Sequence, residues 1–62
     1  MKNYSVRYFL KNMPCTIRVS TIKDVKNLIA GDASQSEIET KISENMPIKM
    51  HNLIAKHNEK FD

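Results

Sequence analysis

The sequence predicts an α+β fold, an N-terminal antiparallel β-hairpin packed on three short helices in the order ββααα. Two observations carry this: apolar residues alternate through the first twenty positions, and from Ile22 onward they recur at spacings of three and four. A third, Pro47, divides the helical part in two.

In the first strand Tyr4, Val6, Tyr8 and Leu10 share one face, and Ser5, Arg7, Phe9 and Lys11 share the other. Lys11-Asn12-Met13-Pro14 reads as a turn, after which Cys15, Ile17 and Val19 alternate with Thr16, Arg18 and Ser20. A four-residue loop over 11–14 would pair Leu10 with Cys15, Tyr8 with Ile17 and Val6 with Val19, so that buried residues meet buried residues. A register two residues away keeps the same faces, so facing is better determined than pairing.

The first helix is expected over 22–30, with Ile22, Val25, Leu28 and Ile29 on its apolar side. Thr21 and Asp24 have the spacing of a capping box, and Gly31 stands where a left-handed C-terminal cap is wanted. Ser34 and Glu37 suggest a second box, opening a surface helix over 35–44 that carries Ile38 and Ile42. Met46, Met50, Leu53, Ile54, His57 and Phe61 then place a third helix over 47–60. Tyr8, Ile17, Leu28 and Leu53 are expected at the centre of the core.

At 62 residues and 40% hydrophobic side chains the chain reads as one small domain. A chain of this size buries only about 60% of the surface that it exposes when unfolded, so its stability is small. Cys15 is the one cysteine, which excludes an intrachain disulfide and a thiolate zinc site. Oligomerisation or partner binding is the expected further source of stability, and a homodimer is anticipated. No stretch has the length of a signal-peptide core or of a membrane span, so a cytoplasmic protein without membrane contact is expected.

The net charge of +3 is unevenly spread. Residues 1–31 carry Lys2, Arg7, Lys11, Arg18, Lys23 and Lys26 against Asp24 alone. Residues 32–46 reverse the sign, with Asp32, Glu37, Glu39 and Glu44 against Lys41. The basic hairpin can steer toward an anionic partner.

Enzymatic chemistry is not expected. Cys15 lies on the apolar phase of its strand, where a cysteine acts as a small hydrophobe. His51 and His57 are six apart, out of line for a helical metal site, and neither a metal nor a cofactor is expected. A helix-turn-helix reading fails on the glutamates of the helix that would enter the groove.

The candidate partner-binding residues are Arg7, Phe9, Lys11 and Arg18 on the outer hairpin face. In the four-residue-loop register Arg7 stands opposite Arg18, and like charges across a pair destabilise it unless an anion lies between them. Lys49, Lys56 and Lys60 form a secondary candidate surface. The expected function is that of a small non-enzymatic inhibitor, adaptor or regulatory subunit, and the Lys/Ile/Asn-rich composition suits a bacterial or phage accessory protein. The expected partner is a larger protein with an acidic surface, met through the basic face or the open strand edge. The alternative is binding of RNA or single-stranded DNA, with Phe9 stacking a base between basic side chains.

Overall fold

Alternation in the first twenty residues resolves into two strands, β1 (Tyr4–Leu10) and β2 (Met13–Val19), in a computed structural model that describes residues 2–40 and 45–61. The faces are those expected, but the register is not. Leu10 pairs with Met13, Tyr8 with Cys15, Val6 with Ile17 and Tyr4 with Val19, around a two-residue turn. Lys11 and Asn12 both have positive φ, 51° and 67°. Two successive left-handed residues make the tight turn whose twist matches a hairpin, and asparagine tolerates that conformation well. Arg7 therefore lies opposite Thr16, and Arg18 opposite Ser5.

The first helix, α1 (Ile22–Ala30), has the expected bounds and the expected capping box. The Asp24 amide donates to Thr21 Oγ1 at 3.2 Å, and Asp24 Oδ2 accepts from the amides of Ser20 and Thr21 at 2.9 and 3.1 Å. Those backbone donors hold the Asp24 carboxyl below its ordinary pKa of 3.8. A carboxylate whose pKa is lowered by folding stabilises the fold above its unfolded value, and that contribution disappears as pH falls through the folded value. Asp24→Ala should therefore melt below the parent at neutral pH, and the two thermal midpoints should converge as the pH drops below 3.8.

Gly31 does end α1 but not in the left-handed conformation expected of it, since its φ is −119° and its ψ −114°. Space explains the residue instead: a Cβ there would lie 3.1 Å from the carbonyl oxygen of Asn27.

The helix expected over 35–44 does not form over its described part. Residues 31–36 are turns, and Glu39–Thr40 is a short strand, β3, antiparallel to β1, while 41–44 lie outside the described residues. The sheet order is β2-β1-β3, with Arg7 opposite Glu39 and Val6 opposite Thr40. The expected box at Ser34 and Glu37 is replaced by longer-range bonds. Ser36 Oγ accepts the Phe9 amide at 3.0 Å, and Asn58 clasps Ile38 by accepting from its N–H at 2.9 Å and donating to its carbonyl at 3.0 Å.

The last helix, α2 (Ile48–Asn58), follows Pro47 and runs on into a 3-10 turn over Glu59–Phe61, close to the 47–60 expected. Its C-terminal end holds the 33–38 segment in place. His57 is 3% exposed, and its Nε2 lies 2.9 Å from the Ala33 carbonyl and 2.8 Å from that of Ser36. Carbonyls only accept, so Nε2 carries the proton and donates to both. Removing the Asn58 side chain leaves two half-buried backbone groups of Ile38 unpaired. Asn58→Ala should cost about 1–3 kcal/mol, and amide exchange at Ile38 should accelerate more than in β2.

The core gathers on the inner sheet face. Val6, Val19, Val25 and Met50 are its largest fully buried side chains, joined by Tyr4, Tyr8, Leu28, Ala33, Ile38, Met46 and Ile54. Tyr8 and Leu28 are buried as expected, but Ile17 and Leu53 are not central: Ile17 is 36% exposed and Leu53 half-buried. The cover reaches β1 and the Val19 end of β2 but not the hairpin tip, where Leu10 and Met13 are also exposed. Burial pushes the Tyr8 phenol above its ordinary pKa of 10.0, with the neighbouring Cys15 and Asp32 adding to the shift.

Candidate interaction surface

The outer sheet face is made by Arg7 and Phe9 of β1, Pro14, Thr16 and Arg18 of β2, and Glu39 of β3, because side chains of paired residues share a face. The described helices lie on the other side, where Met50, Ile54, Val25 and Leu28 share one buried cluster with Val6 and Val19. Arg7, Phe9, Lys11 and Arg18 are all exposed, with Phe9 at 40%. Lys11 occupies the turn itself.

The register changes the electrostatics expected of this face. Arg7 and Arg18 are not directly opposed, so no repulsion across a pair calls for an anion between them. Arg7 instead stands between Thr16 on one side and Glu39 on the other. Its guanidinium carbon lies 5.6 Å from the centroid of the Phe9 ring, within the range of a cation–π contact. Beside it Ser5, Arg7, Thr16, Glu39 and Thr40 line an open depression of about 340 Å³. Glu39 was not among the expected site residues. The helical spacing of Ser34, Glu37, Ile38 and Ile42 assigns it to a surface helix, whereas its place beside Arg7 depends on pairing with β1.

Lys49, Lys56 and Lys60 are exposed on α2 and the turn that follows it. Spacings of seven and four align them along one helical stripe. Because α2 packs on the inner side of the sheet, this stripe is separate from the Arg7 face. Lys56 and Lys60 edge a shallow groove of about 210 Å³ whose floor includes Ile29, Leu53 and His57.

Among the described residues no three His, Cys, Asp or Glu side chains are grouped to hold a metal ion. Cys15 is half-buried, and its Sγ donates to the Met13 carbonyl at 3.6 Å. His57 Nε2 is committed to two carbonyls. Among the described residues no helix is long and apolar enough to cross a membrane. No family model, no curated protein and no solved structure matches this chain.

Proposed function

We propose that this chain is a small non-enzymatic interaction protein, an inhibitor, adaptor or regulatory subunit, that docks its outer sheet face on an acidic surface of a larger protein. The observation that carries the reading is the exposed Arg7–Phe9–Arg18 face, left uncovered by the helices. A guanidinium fork recognises carboxylates in a defined plane, and an aromatic ring beside it supplies apolar contact at little entropic cost.

The same geometry favours a protein over a nucleic acid. Arg7 lies over the ring of Phe9, on a face where a stacked base would sit. Glu39 adjoins Arg7 and would repel a phosphate backbone. The test is a titration with random single-stranded oligonucleotides at several salt concentrations. No saturable binding is expected at physiological salt up to about 100 µM, the weak end of the range for non-specific nucleic-acid binders. Saturable binding that weakens steeply with salt would transfer the face to the RNA or single-stranded DNA reading.

A further inference from the structure

The edge of β2 that faces away from β1 has a donor pattern that can be worked out from the hairpin. Backbone polar groups alternate in direction along a strand. The Phe9 amide leaves β1 on the side away from β2, to reach Ser36 Oγ, and Arg7 pairs with Glu39 on that same side. Tyr4, Val6, Tyr8 and Leu10 therefore address β2, where Val19, Ile17, Cys15 and Met13 meet them. The groups that β2 turns outward belong to Pro14, Thr16 and Arg18. A proline is tolerated there because its missing N–H would have pointed away from the sheet.

We propose that this edge pairs antiparallel with the same edge of a second copy, about a two-fold axis at Thr16. Thr16 then exchanges both backbone hydrogen bonds with Thr16 of the second copy, and each Arg18 N–H donates to the Pro14 carbonyl across the axis. Every outward N–H of β2 is used, and the one absent donor is that of Pro14. On the inner face Cys15 meets Ile17 and Met13 meets Val19, which covers core-phase side chains that the single chain leaves open, Ile17 at 36% and Met13 at 67%.

Neighbouring registers serve the edge less well. An axis at Cys15 puts Arg18 against Asn12 in the turn and leaves only Thr16 to donate to Pro14. An axis at Ile17 sets Pro14 against Ser20, whose amide already donates to Asp24, and brings the two Arg18 side chains to diagonal positions about 7–8 Å apart. With the axis at Thr16 they stand four residues apart, about 13 Å along the strand and beyond the screening length at physiological salt. The result is a six-stranded sheet whose outer face carries Arg7, Phe9 and Arg18 twice. The pairing stands whichever macromolecule that face binds.

Sedimentation equilibrium of the whole chain, with a version N-methylated at Thr16 by chemical synthesis, tests the proposal. The parent should sediment at twice 7.2 kDa. The methylated chain should associate at least about tenfold more weakly, since two hydrogen bonds are lost at the axis. Its far-UV dichroism should be unchanged, because the Thr16 N–H does not face β1. Ile17→Lys, at a position already exposed in the monomer, should weaken association in the same way. Mixed isotope labelling of the parent reads the register directly: Hα contacts between copies are expected from Cys15 to Ile17. A 7.2 kDa species at about 100 µM would overturn the proposal, as would a dimer indifferent to both changes or one whose contacts run Cys15 to Cys15 or Ile17 to Ile17.

Discussion

Met50→Ala is expected to leave most of the protein unfolded at 25 °C. Met50 is 1% exposed and belongs to the same buried cluster as Val6, Val19 and Val25, so truncation removes three heavy atoms from a fully buried part of the core. Such changes cost about 2–5 kcal/mol, comparable to the whole stability of a domain this small. Leu53→Ala supplies the contrast. Leu53 lies on the same helix but is half-buried, and its loss should leave a cooperative melt at a moderately lower temperature. Thermal denaturation of both variants by circular dichroism checks the pair. Equal losses would mean that the core centres elsewhere along α2.

Reversing Arg7 and Arg18 together to glutamate is expected to abolish partner binding and leave the fold intact. Both side chains are exposed, so neither reversal buries a charge. On the proposed acidic partner each attraction becomes a like-charge contact, and such juxtapositions cost several kcal/mol while slowing the encounter. Reversal of Arg7 also places two glutamates opposite each other at Glu39, so a small destabilisation is expected from the fold itself, about 0.2–1 kcal/mol. Arg18→Glu alone avoids that pair, and it should weaken binding without touching the melt.

Periodicity made much of this architecture legible. The facing of both strands follows from alternation, and the bounds of α1 follow from apolar spacing with Thr21 and Asp24 at the cap. The last helix is written in the same way, with Pro47 at its start. Hairpin register is a different kind of information. A slip of two residues preserves every face, and the choice was made by a turn in which Lys11 and Asn12 take positive φ without a glycine to announce it.

The segment after α1 shows the other limit. Ser34, Glu37, Ile38 and Ile42 have helical spacing, yet residues 33–40 are held by groups remote in sequence. His57 binds the carbonyls of Ala33 and Ser36, Asn58 binds both backbone groups of Ile38, and β1 takes up Glu39–Thr40 as a strand. Local propensity is a weak signal, and five hydrogen-bonded contacts from α2 and β1 outweigh it. The candidate site divides along the same line. The exposure of Arg7, Phe9, Lys11 and Arg18 was readable from strand phase, whereas the Arg7–Phe9 contact and the neighbouring Glu39 depend on register and on β3.

Photo-crosslinking from position 9 tests the proposed interaction surface most directly. Phe9 is replaced by benzoylphenylalanine, which keeps the aromatic ring, and a second version carries the same group at Asn52, exposed on α2. Both are irradiated in nuclease-treated extract of the native host. A discrete protein adduct is expected from position 9, absent when Arg7 and Arg18 are reversed to glutamate and absent from position 52. An adduct formed equally from both positions, or one from position 9 that survives the double reversal, would contradict the assignment of the outer sheet face.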